Sequence, residues 1–205
     1  MAAPNFCPRC GSKLGSKFDG GRDRAACPDE SCGFIDYGNF SIGAAGVVVR
    51  DGRALLVQRG WNPNRGAWQL PGGYVEYDEE ILTAVEREVM EEAGIEAKVR
   101  DVVGFRHSIG GSIGGPSTNI YLVFRLEETG FAEPTFDGDE VMGAGFFSQD
   151  EMANMERVQS LSTWAIQKAL RMHEHGGLHP EIDALPTTRG GWSLFGARHI
   201  EDMLR

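Results

Sequence analysis

From residue 42 onward the chain alternates short apolar runs with polar punctuation. Residues 42–50 (IGAAGVVVR) and 54–59 (ALLVQR) are rich in branched side chains and are joined by Asp51-Gly52, a strong signal for a tight hairpin, so they predict two antiparallel strands. Residues 60–73 (GWNPNRGAWQLPGG) carry Gly, Pro and Asn at the density of a loop. Beyond it, Ile81, Leu82, Val85 and Val89 recur at the three- and four-residue spacing of a helix with one buried face. This helix is predicted over 78–93, with Asp78 as its N-cap and Gly94 as its stop. Further strands are predicted at 96–105, 118–126 and 143–147, and 108–117 (SIGGSIGGPS), with four glycines, reads as a hairpin tip. Ser148-x-x-Glu151 has the form of a capping box opening a second helix. A longer helix over 158–173 would bury Leu161, Trp164, Ala165, Ala169 and Met172. No internal repeat is present.

The first 38 residues follow no such pattern, and their chemistry is carried by cysteine. All four cysteines lie there, Cys7 and Cys10 in CPRC, Cys27 and Cys32 in CPDESC. Two tight turns that each offer a thiolate pair match the tetrahedral, sulfur-rich coordination of structural zinc, and Gly11 and Gly33 just past each pair give the backbone the freedom those turns need. A segment this short cannot bury enough apolar surface to fold unaided, which a bound metal would remedy. A closed four-cysteine site leaves no open position for catalysis. Arg9, Lys13, Lys17, Arg22 and Arg24 are balanced by Asp19, Asp23, Asp29, Glu30 and Asp36, so this zinc ribbon shows no electropositive face for nucleic acid.

Over the whole chain of 205 residues, 20 Lys and Arg stand against 30 Asp and Glu, for a net charge of −10. That balance argues against nucleic-acid binding, where clustered cations must displace counterions. No apolar run approaches the roughly 20 residues of a membrane span, and MAAPNFCPRC lacks the form of a signal peptide, so a cytoplasmic protein with no membrane partner is expected. The expected domains are a zinc ribbon at 1–38, a main domain at 40–175 and a C-terminal extension at 176–205. In the extension, Trp192, Leu194, Phe195, Ile200 and Leu204 suggest docking on an apolar surface, a homodimer interface among the candidates. His173, His175 and His179 are expected to be solvated, because Gly176-Gly177 breaks any helical register between them.

The polar face of the predicted first helix is unusual. Glu88, Glu91 and Glu92 stand at i, i+3 and i+4, so three carboxylates share one patch, at a cost of a few tenths of a kcal/mol per pair. Arg87 can pair with Glu91, and the remaining hard oxygens suit magnesium or manganese. Starting at Gly73, the chain reads Gly73, five residues, Glu79, seven residues, Arg87-Glu88-Val89, one residue, Glu91-Glu92, one residue, Gly94-Ile95. This resembles the signature of the Nudix hydrolase family, G-x5-E-x7-R-E-U-x-E-E-x-G-U, at every specified position, and AWQLPGGYVE resembles the family's approach to it. The cysteine-bearing prefix resembles a subgroup with a zinc ribbon before the Nudix domain.

The resemblance implies an α/β/α sandwich with a mixed sheet over about 40–175, and a metal-dependent hydrolase that cuts the pyrophosphate of a small nucleotide conjugate such as ADP-ribose or FAD. It implies Glu88, Glu91 and Glu92 as magnesium or manganese ligands with the carbonyl of Gly72 or Gly73 beside them, Arg87 orienting the carboxylates, and Glu79 bracing the loop to the helix. Many members place a carboxylate on a separate loop, where this chain has Asp139-Glu140-Val141, so Glu140 is nominated as metal ligand or general base. Phe146 stands where the family often has Trp. For the rest of the substrate, Trp61, Phe105 and Tyr121 could stack a base, and Arg59, Arg65 and Arg106 could meet phosphate oxygens. The SQPWPFPxS array of the NADH-cleaving branch is missing, as is the proline some fifteen residues after the box in the ADP-ribose branch. A nucleotide sensor with a partner-recruiting ribbon is the alternative, but it predicts a decayed signature.

Overall fold

The computed structural model describes residues 4–109, 118–172, 176–180 and 195–197. The chain divides into two compact units, Met1–Ser41 with Ser108–Asn119, and Ile42–His107 with Ile120–Arg205.

In the first unit β1 (Gly15–Asp19) and β2 (Arg22–Ala26) pair as an antiparallel hairpin with Gly15 opposite Ala26 and Asp19 opposite Arg22. Sequence pattern does not foretell it, because GSKFD and RDRAA lack apolar alternation; only Gly20-Gly21, both at positive φ, marks the turn. The four cysteines converge. Cys7 and Cys32 sulfurs lie 3.6 Å apart, Cys10 and Cys27 3.5 Å, and all four within 4.8 Å of one another. Zn–S bonds of about 2.3 Å at tetrahedral corners put sulfurs about 3.8 Å apart, close to what is seen and far from the roughly 2 Å of a disulfide. Both knuckles close by backbone hydrogen bonds, Gly11 N–H to Cys7 O and Cys32 N–H to Asp29 O. In the longer one, Asp29 also accepts from the Ser31 N–H and hydroxyl. Hydrogen bonding to Ser12 lowers the Cys10 thiol to about 6, while desolvation pushes Cys27 up to about 12.

The second unit is built on a mixed sheet. Its elements are β3 (Phe40–Arg50), β4 (Arg53–Arg59), β5 (Trp68–Gln69), β6 (Gly72–Tyr74), α1 (Ile81–Ala93), β7 (Ala97–Ile109), β8 (Thr118–Glu128), β9 (Val141–Phe147), α2 (Gln149–Asn154), α3 (Ser160–Arg171), β10 (Leu178–Pro180) and β11 (Phe195–Ala197). The strand order is β11-β10-β7-β8-β3-β4-β5, with β6 on β3 and β9 on β4. Asp51 and Gly52 sit at φ 50° and 74°, so the predicted hairpin forms with both turn residues left-handed.

One-residue alternation along β3 and β4 divides the interior into two cores. Ala44, Val48, Leu55 and Val57 pack with Val85, Val89 and Ala93 of α1. Ala45, Val47, Ala54 and Leu56 pack with Met152 of α2 and Ala165, Ile166 and Ala169 of α3. Helices on both faces give the α/β/α sandwich that the resemblance implied. No helix among the described residues is long and apolar enough to cross a membrane.

Several expectations need correction. Helix α1 starts at Ile81, and its N-cap is Glu80, without a side-chain cap bond, rather than Asp78; residues 77–79 turn first. The buried face of α3 is Ser162, Ala165, Ile166 and Ala169; Leu161 and Met172 are half-buried and Trp164 is 38% exposed. Ser162 holds its core position by accepting a hydrogen bond from Leu70 N–H at 3.0 Å, and Trp164 lies instead against Gly104 of β7, where a Cβ would come within 2.8 Å of the ring. The capping box of Ser148 and Glu151 forms as predicted. His179 is buried, not solvated, because β10 joins the sheet edge at Val102. Phe195 packs on the chain's own core 5.8 Å from Phe124. His173, His175, Trp192, Leu194, Ile200, Leu204 and the tip 110–117 lie outside the described residues.

Candidate active site

The polar side of α1 is organised by one cation. Arg87 donates from Nε and Nη2 to the two oxygens of Glu79 at 2.8 and 3.0 Å, a bidentate fork. Its Nη1 donates to Glu88 Oε1 at 3.0 Å and to Glu91 Oε2 at 2.8 Å. The fork with Glu79 is the main reason the guanidinium is held even more firmly protonated than usual, and Arg87 in turn holds the Glu79 carboxyl low. Glu79 is thereby tied from the turn before α1 to the middle of the helix.

Glu92 belongs to a different set of contacts. Its Oε2 accepts from the backbone N–H of Gly72 at 2.8 Å, across from β6. Burial pushes its carboxyl up to about 8, and the charges of Glu88 and Glu140 add to the shift; the Gly72 N–H and Arg59 oppose it. Glu88 is raised too, first by burial, against the pull of Arg87 and with the charges of Glu91 and Glu140 adding. Glu91 is the open one, with 59% of its side chain exposed.

The chain makes room for these carboxylates by omitting side chains. A Cβ on Gly73 would stand 2.6 to 2.9 Å from the carboxylate atoms of Glu88. Next to it, Gly72 has φ 154° and runs so close to β3 that a Cβ would fall 2.3 Å from Ala44 O.

Tyr121 of β8 completes this wall. Its ring occupies the place a Cβ on Gly43 would take, 2.4 Å away. Burial, then the charges of Glu92 and Glu88, raise its phenol, while Arg106 and Arg59 oppose the rise. The Arg106 guanidinium lies 5.3 Å from the centre of the Tyr121 ring. Phe105 is 67% exposed.

Two loops stand beside the acidic set. The first leaves β4 at Arg59, whose Nε donates to Pro63 O at 2.9 Å, and carries the half-exposed Trp61. Arg65 is exposed on it, and its carbonyl accepts from Arg157 Nη1. The second, 137–140, leads into β9 and carries Glu140. Sequence pattern does not single out Asp137 and Asp139, for which Asp137-Gly138 offers only a generic turn signal. Among the described residues, the group of three or more potential metal ligands that converges is the cysteine set, with its sulfurs within 4.8 Å of one another.

The NUDIX domain family model matches residues 41–165. The chain belongs to the Nudix family. Among Nudix relatives, a MutT-like protein of Streptomyces ambofaciens is 35% identical over 146 residues, covering 68% of this chain and 86% of that protein. An ADP-ribose pyrophosphatase of Methanocaldococcus jannaschii is 32% identical over 58% of this chain and 68% of its own length. An NAD-capped RNA hydrolase of Haemophilus influenzae is 31% identical over 71% of this chain, a match that spans only 52% of that larger protein. A NUDIX hydrolase structure from Nitrosomonas europaea shares the fold with a TM-score of 0.66 over 85% of this chain and 94% of that one, at 24% identity. The chain is a Nudix hydrolase, and the acidic face of α1 is where its signature residues gather.

Proposed function

We propose that this Nudix hydrolase is a divalent-metal-dependent pyrophosphohydrolase that cuts the diphosphate of a small nucleoside diphosphate conjugate, of the ADP-ribose or FAD kind. The observation that carries the reading is the burial of Glu88 and Glu92 against the glycine backbone at 72–73, with their carboxyls raised. Desolvated carboxylates facing one another are costly unless a cation joins them. The carboxylates that Arg87 bonds are Glu79, Glu88 and Glu91, which leaves out Glu92. Hard oxygen donors fit magnesium or manganese, so Glu88, Glu91 and Glu92, with the Gly72 carbonyl, are assigned as ligands. A divalent ion there would polarise the phosphorus and acidify water.

The chain's own residues do the rest. Arg87 and Glu79 orient the carboxylates, and Glu140, whose charge is felt at both Glu88 and Glu92, is assigned as further ligand or general base. Arg59 and Arg106 supply positive charge for phosphate oxygens, and Arg65 and Trp61 stand on the loop beside them. The M. jannaschii relative's name supports ADP-ribose among the candidates. A net charge of −10 favours a small substrate over RNA, and the intact signature favours an enzyme over a sensor.

The test is turnover of ADP-ribose, FAD, NADH, diadenosine polyphosphates and nucleoside triphosphates with magnesium, then manganese. One preferred conjugate supports the reading; no turnover with either metal sinks it.

Metal binding should also release protons. A Glu92 carboxyl near 8 is largely protonated at pH 7, so loading magnesium is expected to release about one proton per chain, read by calorimetry in buffers of different ionisation heat. Stability should respond to pH as well. Because the folded value lies above the ordinary 4.5, the metal-free protein keeps this contribution below that value and loses it as pH rises through about 8. Its melting temperature should fall over that window, and a flat profile would contradict the burial of Glu92.

The cysteine set is assigned to one structural zinc. Native mass spectrometry should find one zinc per chain, and chelation should unfold the Met1–Ser41 unit. A zinc-free chain with that unit intact would refute the assignment.

A further inference from the structure

The loop after β4 and the loop before β9 are fastened together. Trp61 Nε1 donates to Asp139 Oδ1 at 3.1 Å, and Gly60 N–H donates to Glu140 O at 2.7 Å. The approach is so close that a Cβ on Gly60 would fall 1.8 Å from Asp139 O. Asp137 then ties the second loop to itself: its carboxylate accepts from the N–H groups of Asp139 and Val141 at 3.0 Å and of Glu140 at 3.3 Å. Gly138 N–H closes the turn on Val141 O at 2.9 Å. These backbone bonds hold the Asp137 carboxyl below its ordinary range. The register shift in the β4·β9 ladder, at Gln58 and Arg59, lies where the two loops depart.

We infer that Asp137 and Asp139 are positioning residues, Asp137 shaping the loop that bears Glu140 and Asp139 fastening that loop to the loop bearing Trp61, and that Trp61 is the platform for the flat, non-reacting half of the substrate. The inference rests on the proposed function for the site, which it extends to substrate recognition.

Three features single out Trp61. It is 48% exposed although large and apolar. A tryptophan whose N–H is held by a carboxylate cannot turn freely, so its exposed surface is presented in one orientation. Every nucleobase has a π-face, and stacking on a fixed ring is a low-entropy way to bind one. Its anchor, Asp139, is the neighbour of Glu140, whose charge reaches Glu88 and Glu92. Seating the base on Trp61 therefore bears on the loop that carries Glu140. Asp137 acts within the Glu140 loop itself, since its carboxylate gathers the three N–H groups that fix this turn.

The two aspartates should separate kinetically. With the best conjugate of the nucleotide panel, Trp61→Phe keeps the ring but loses the N–H, and Asp139→Ala loses the acceptor. Each is expected to raise KM by about tenfold with the effect falling on KM rather than kcat. The double variant should be no worse than either single one, because both remove one bond. Asp139→Asn, which keeps an acceptor oxygen, should restore most of the loss. Asp137→Ala should instead lower kcat by about tenfold, since Glu140 loses its fixed approach. Additive losses in the Trp61 and Asp139 double variant, or a wild-type KM in Asp139→Ala, would overturn the coupling; an equal fall of kcat in every variant would show loss of fold rather than loss of positioning and would also overturn it. Should the wild type turn over nothing in the panel, the proposed function fails by itself. ADP-ribose binding to the full chain, measured by calorimetry, then decides the inference: weaker binding by Trp61→Phe and Asp139→Ala upholds it, and equal or absent binding overturns it.

Discussion

Glu92→Gln is expected to lower turnover by about 10³-fold while leaving the protein folded. Gln keeps the shape and an oxygen that can still accept from Gly72 N–H, so the link from α1 to β6 survives. What disappears is the charge. In the metal-free protein that charge is held in a desolvated place beside Glu88 and Glu140, which is why burial raises the carboxyl to about 8. The variant should therefore melt no lower than wild type, and above pH 8 it should melt higher, because the stability lost on ionising Glu92 is no longer at stake. Turnover and a melting curve across pH check both halves. A variant that loses stability and activity together would mean that Glu92 serves the fold and not the chemistry.

The second large effect comes from a position with no side chain. Gly73→Ala is expected to reduce turnover by about 10²-fold, the usual consequence of displacing a reacting group by about 1 Å. The new Cβ would meet the Glu88 carboxylate at 2.6 to 2.9 Å, and in the three nearest contacts it would meet nothing else. That carboxylate has to move, whereas the backbone need not. Melting temperature should thus be almost unchanged. Full activity in the Ala variant would show that Glu88 can retreat without consequence, and would remove it from the ligand set.

The two substitutions rest on features of very different visibility in the sequence. Glu88, Glu91 and Glu92 were legible because helical spacing alone puts them on one face. Their partners were legible only through the family resemblance, which implied that Arg87 orients the carboxylates and Glu79 braces the loop. The expectation that Arg87 would serve Glu91 was right, yet Arg87 also holds Glu79 and Glu88, an arrangement that depends on a turn at 77–79, part of which periodicity assigns to the helix. Strands β3 and β4 were legible from branched residues flanking Asp51-Gly52, since local chemistry and burial agree there. Strands β5 and β6 were not, because two or three residues carry no period, and their pairing is imposed by β4 and β3. The stripe of α3 was misplaced because Trp164 looked like core by type, while Ser162 entered the core through a single hydrogen bond to Leu70. Long-range polar contacts, such as Trp61 with Asp139 across 78 positions, leave no trace in local pattern.

A strand that feeds two cores has no idle face. From residue 43 to residue 48 every position of β3 is buried, and even Gly46 is committed, since a Cβ there would lie 2.7 Å from a methyl of Val89. The segments 61–65 and 129–133 are exposed throughout. Inherited change therefore meets resistance along β3 and less in those loops, Trp61 apart. A lineage descended from this chain could change what it binds by altering loop residues alone, keeping the acidic helix and its glycine floor unaltered.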